Sequence, residues 1–147
     1  MSNSVNQDRH GPDWPLGFIA VVTPGTPVGL TSLVDPSDVN DPEKPTPGTS
    51  GAAEYTTRAQ QIIFQSFKPG AAHGVVNNTG NIYIVRDLAA GGSGNRDDYG
   101  GIVAILTPGQ TFVLASAPLD RNVFNPDRYA VDADNAGDGV FVTLIIQ

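Results

Sequence analysis

The chain of 147 residues has no cysteine, one methionine, one tryptophan, two histidines and only eight basic residues against fifteen acidic ones. Without cysteine there are no disulfide staples, no zinc–thiolate sites and no thiol chemistry, so stability must come from packing or from association with other chains. The shortage of Lys and Arg gives a formal charge of −7. That removes the clustered basic surface that nucleic acid or an anionic membrane requires, and neither is expected as a partner. No apolar run approaches membrane-spanning length, and the polar start Met1-Ser2-Asn3-Ser4-Val5-Asn6 lacks the apolar core of a signal peptide. A soluble product made in the cytoplasm is expected. Leu, Lys and Glu, the staples of helices, are scarce, which argues against a helical protein.

What is abundant is glycine (17) and proline (12), beside a 39% apolar fraction sufficient for one domain-sized core. One short pattern occurs twice, Ile19 to Leu30 and Val103 to Leu114, each with Thr-Pro-Gly at its centre. Pro24 and Pro108 supply the fixed φ of the second position of a β-turn. Gly25 and Gly109 supply the positive φ that the third position of a type II turn demands. Each copy is expected to be a hairpin, the first joining strands at 18–22 and 28–34. The flanks of the two copies diverge, so shared turn chemistry explains the likeness better than internal duplication.

Further strands are expected at 61–67, 81–86, 128–132 and 140–146, separated by Gly-, Pro- and Asn-rich turns. In the last of them Val140, Val142, Leu144 and Ile146 alternate with Phe141 and Ile145. A strand apolar on both faces belongs in the middle of a sheet or under a partner. Residues 1–15, ending Gly11-Pro12-Asp13-Trp14-Pro15, neither continue a helix nor pair comfortably in a sheet and read as an extended arm. Residues 35–57 carry four prolines and five carboxylates and read as one long acidic loop. The expected architecture is all-β: a single antiparallel β-sandwich over 16–147, jelly-roll-like or immunoglobulin-like, with the N-terminal arm and the 35–57 loop attached.

No constellation for chemistry assembles. Asp132, Asp134 and Asp138 have the look of a calcium loop, but Ala136 stands at the third ligand position and Thr143 where the bidentate glutamate belongs, so a turn is the better reading. His10 and His73 have no chelating neighbour, and Ser93 and Ser116 lack a nucleophile-elbow context. Asp97-Asp98 reads as a solvated pair, and Gly91 to Gly94 lacks the Lys-Ser or Lys-Thr of a phosphate loop. No catalytic residue, metal or cofactor is expected.

The segments Asn78 to Val85, Gly101 to Leu114 and Arg128 to Gly139 resemble small β-sandwich structural proteins of tailed bacteriophages. In those a Gly-Asn-Ile-Tyr-Ile strand precedes a Leu-x-Pro-Gly turn, and a Tyr-x-x-x-Ala strand precedes a closing Gly-Asp-Gly-Val strand. The resemblance covers about half of the chain. It implies a non-enzymatic virion component, a capsid decoration or cement protein that binds the major capsid protein or another virion protein and associates with its own copies. Candidate contact residues are Trp14 and Pro15 in the arm and Tyr55 and Arg58 at the end of the acidic loop. The alternative is a carbohydrate-binding or adhesin sandwich, with glycan as partner, which expects rings such as Trp14, Tyr55, Tyr99 and Phe124 to be exposed together.

Overall fold

The computed structural model of the chain describes residues 13–30, 59–88, 94–115 and 126–146. Among the described residues ten strands run in chain order: β1 (Asp13–Ala20), β2 (Val28–Gly29), β3 (Ala59–Gln65), β4 (Phe67–Pro69), β5 (Val75–Asn77), β6 (Ile82–Leu88), β7 (Tyr99–Leu106), β8 (Thr111–Ala115), β9 (Tyr129–Ala133) and β10 (Gly139–Ile146). Short 3-10 turns at Ala71–His73, Arg96–Asp98 and Pro126–Arg128 interrupt them, and there is no α-helix among the described residues. The protein is all-β, as its composition implied.

The strands form two four-stranded sheets, ordered β1-β10-β3-β8 and β2-β9-β6-β7, and a small β4-β5 ribbon. Every pairing is antiparallel. Alternation along each strand decides which side is buried: Ile62 and Phe64 of β3 are fully enclosed while Gln65 is exposed, and Val140, Val142 and Leu144 of β10 are enclosed while Phe141, Thr143 and Ile145 are half-buried. The inward side chains of both sheets meet in one core. Ile19, Ile62, Phe64, Val140, Val142 and Leu144 come from the first sheet, and Ile82, Ile84, Leu106, Tyr129 and Val131 from the second. Phe64 lies opposite Phe112 of the neighbouring strand, their ring centroids 6.2 Å apart, while on the outer side Phe18 lies opposite Phe141 at 5.2 Å. The two-faced apolar strand β10 is indeed interior to its sheet, between β1 and β3.

Two expectations need correction. The first strand starts at Asp13, so Asp13, Trp14 and Pro15, assigned above to the arm, pair with Ile145, Leu144 and Thr143 of β10. A register shift between Pro15 and Gly17 accommodates the proline, and β1 lies at the edge of the sheet, where a missing N–H is tolerated. Neither Thr-Pro-Gly segment makes a hairpin. β1 pairs with β10 and β2 with β9; β7 pairs with β6 and β8 with β3. Each of these turns carries the chain from one sheet to the other. The turn chemistry itself is as expected: Thr26 N–H donates to the Thr23 carbonyl at 3.0 Å and Gln110 N–H to the Thr107 carbonyl at 3.1 Å, with Gly25 at φ +87° and Gly109 at φ +84°.

The arm residues 1–12, most of the 35–57 loop's surroundings and the loop itself lie outside the described residues.

Candidate functional site

Four crossings between the sheets are joined by hydrogen bonds into one network. They are β1 to β2 through Thr23–Thr26, β9 to β10 through 134–138, β3 to β6 through the β4-β5 ribbon, and β7 to β8 through Thr107–Gln110. Val21 N–H donates to the Asp138 carbonyl and Gly137 N–H to the Val21 carbonyl, both at 2.9 Å, lacing the first corner to the β9–β10 turn. The side chain of Asn78 then pairs with the backbone of Gly139: its Nδ2 donates to the Gly139 carbonyl at 2.7 Å, and Gly139 N–H donates to its Oδ1 at 3.0 Å. Asn78 Nδ2 also donates to Ser66 Oγ at 2.9 Å, and Ser66 reaches the second corner through Ser66 N–H to Gln110 O and Gly109 N–H to Ser66 O, both 2.9 Å. Asn78 and Ser66 are buried, so these bonds satisfy groups that would otherwise be costly to enclose.

Among the described residues two carboxylates, Asp132 and Asp138, are completely enclosed. Asp138 accepts from Lys68 Nζ at 2.9 Å, from Thr79 N–H and Oγ1 at 2.9 Å each, and from Gly80 N–H at 2.8 Å. Burial alone would raise its pKa, but the Lys68 ammonium and the Thr79 and Gly80 donors prevail and hold it at about 2, below the ordinary 3.8. Asp132 accepts from Gly25 N–H through both oxygens, at 2.9 and 3.2 Å, and from Ala133 N–H at 2.8 Å, with Arg96 Nη1 3.5 Å away. Arg96 also donates its backbone N–H to the Gly25 carbonyl at 2.7 Å and lays its guanidinium 4.2 Å from the centre of the Tyr83 ring. Tyr83 donates its hydroxyl to Asp134 Oδ1 at 2.8 Å, and that bond is the first cause of its raised pKa. Burial, then the charge of Asp132, raises the pKa of Tyr99.

The three aspartates that superficially suggest a calcium loop thus serve three separate purposes. Asp132 holds the first corner, Asp134 holds Asn81 N–H and Tyr83, and Asp138 holds the segment entering β6. Among the described residues no group of three or more His, Cys, Asp or Glu side chains converges. The oxygens of Asp132 and Asp138 accept from internal donors that belong to other crossings, so each carboxylate ties two crossings together.

The backbone of Trp14 and Pro15 lies in β1, opposite Leu144 and Thr143, while Tyr55 and Arg58 lie outside the described residues. The surface feature that the sequence reading missed is apolar. β7, at the edge of the second sheet, exposes Ile102, Val103 and Ile105, while β8, at the edge of the first, exposes Val113. Its signal was present in the chain: from Tyr99 to Leu119 there is no charged side chain, in a protein of charge −7.

No family model matches this chain, and no curated protein or solved structure matches it.

Proposed function

We propose that this chain is a non-enzymatic structural protein of a virion, a jelly-roll capsid decoration or cement protein whose partner is the major capsid protein or another shell component. The observation that carries this reading is the nesting of the strand pairs. The outermost pair is β1 with β10, then β2 with β9, then β3 with β8, and the innermost is β6 with β7. A chain folded once at the β6–β7 connection and then rolled, so that successive pairs fall in alternate sheets, is a two-sheet jelly roll, a scaffold of viral shells and of lectins. An immunoglobulin-like sandwich, with seven strands in its simplest form, does not contain four successively nested pairs of this kind.

Two further features favour contact over chemistry: the enclosed Asp132 and Asp138 are engaged in holding corners, and three exposed apolar side chains, Ile102, Val103 and Ile105, lie together on the β7 edge. The lectin reading calls on Trp14, Tyr55, Tyr99 and Phe124; of these only the Tyr99 side chain is among the described residues, and it is half-buried. The test is mass spectrometry of density-banded particles produced from the genome that encodes this chain. Stoichiometric presence in intact shells is expected, reduced by deletion of residues 1–12, which leaves β1 whole. Absence from banded particles would end the virion reading.

A further inference from the structure

We infer that β7 is the edge at which a second copy of this chain adds, strand against strand and antiparallel, so that the β2-β9-β6-β7 sheet continues across a twofold axis into the same sheet of its partner. The four edge strands of the two sheets differ in how far they can accept a neighbour. β1 carries Pro15 and a register shift, and β2 has only two residues. β8 has five residues and one large exposed apolar side chain, Val113. β7 has eight residues, Tyr99–Leu106, and neither proline nor charge, the devices by which edge strands are usually kept apart. Ile105 is 53% exposed, Ile102 51% and Val103 36%. The one irregularity of β7 adds to this surface: Val103 has no Cα partner, because Ile84 pairs with Ala104 and Val85 with Ile102, and the bulge turns a third β-branched side chain outward.

Charge selects a second copy as the occupant. At −7, two copies repel wherever their carboxylates approach, and like charges facing one another across strands are destabilising. The uncharged span beginning at Tyr99 includes the whole of β7. A basic partner would find no carboxylate on this strand to pair with, whereas a second β7 brings no charge against it. An antiparallel strand is also its own complement: residues on one side of the axis face their counterparts on the other, which closes the assembly at two. Antiparallel addition would engage the outer backbone N–H and C=O groups of β7 and cover Ile102, Val103 and Ile105 together.

The inference does not rest on the virion reading, since self-association and particle binding are measured separately. Sedimentation equilibrium of the full chain over low to high micromolar concentration is expected to give twice the 15.4 kDa chain mass. Ile105→Lys puts a charge on each side of the axis at an exposed position and is expected to return the mass to that of one chain with an unchanged circular dichroism spectrum. Val103→Lys is expected to do the same and serves if Ile105→Lys fails to fold. Val113→Lys, on the edge of the other sheet, is expected to leave the doubled mass intact. A wild-type chain of single mass throughout, a folded β7 lysine variant of doubled mass, or dissociation by Val113→Lys would each overturn the assignment.

Discussion

At Thr23–Thr26 the turn is held from outside: the Gly25 N–H points into the buried carboxylate of Asp132, and Arg96 joins both the Gly25 carbonyl and that carboxylate. At Thr107–Gln110 the same three residues, Thr-Pro-Gly, are held by their own Gln110, whose Oε1 accepts from Thr107 N–H at 3.0 Å, and by backbone bonds to Ser66. One corner depends on a charge more than a hundred positions away, the other on its own exposed Gln110 amide and on the backbone of the buried Ser66. Equal turn chemistry therefore need not mean equal contribution to stability. A hydrogen bond to an enclosed carboxylate leaves an orphaned group behind when it is broken, whereas an exposed amide is replaced by water.

The contrast can be broken most forcefully at Asp132. Replacing it with Ala strands the Gly25 N–H and takes from Arg96 its enclosed counter-ion; a loss of about 3 kcal/mol is expected, read as a lower urea midpoint. Asp138, which stands between the corners, is expected to show itself through pH. Its carboxyl titrates at about 2 in the folded chain against an ordinary 3.8, so the folded state favours the charged form. The stabilisation, about 2 kcal/mol, is complete above the unfolded value and is lost as pH falls from roughly 4 towards 2. Thermal melts in that range should show the wild type falling steeply, and Asp138→Asn, already weaker at neutral pH, falling less.

Smaller effects sharpen the comparison. Gly25→Ala and Gly109→Ala each force a Cβ into the left-handed region, at about 1–2 kcal/mol. Gly109→Ala should cost more of the two, because its Cβ would lie 3.2 Å from Asn77 Oδ1 while the space beside Gly25 is open. Equal midpoints for the pair would mean that Asn77 moves aside freely. Gln110→Ala is expected to cost the least, about 0.5 kcal/mol, since water can replace the amide at Thr107. A cost matching that of Asp132→Ala would erase the distinction between the corners.

The turns also explain where sequence reading succeeded and where it failed. Pro at the second position and Gly at the third specify a type II turn, and both corners have it. The same turn type carried a further message: its twist splays flanking strands instead of pairing them, whereas tight hairpins use the mirror-image turns. Two type II turns are better read as exits from a sheet than as hairpins. Conversely, the five-residue connection between β4 and β5, Gly70 to Gly74, turns through Ala72 and His73, both at positive φ, 54° and 62°. Ala72 does not favour that conformation and neither residue is the Asn or Gly that usually announces such a turn, so no Asn-Gly signal marked it.

For the candidate site the pattern is similar. The Asp132, Asp134, Asp138 run read as turn chemistry, yet the partners of its carboxylates, Gly25, Tyr83, Lys68 and Thr79, lie 51 to 107 positions distant. Nothing local announces such pairs, because each is made only when two crossings are brought side by side.

By itself the sequence determined what is written in short-range chemistry. Composition and alternation made the protein all-β, β10's two apolar faces put it inside a sheet, and Pro-Gly set the shape of two turns. Tertiary structure alone decided which sheet each strand joined, which carboxylates were enclosed, and that β7 was left as an uncharged edge. The physical reason is range. Backbone sterics and side-chain periodicity act over a few residues, whereas strand order and burial depend on which distant segments meet, and only the closed fold resolves that choice.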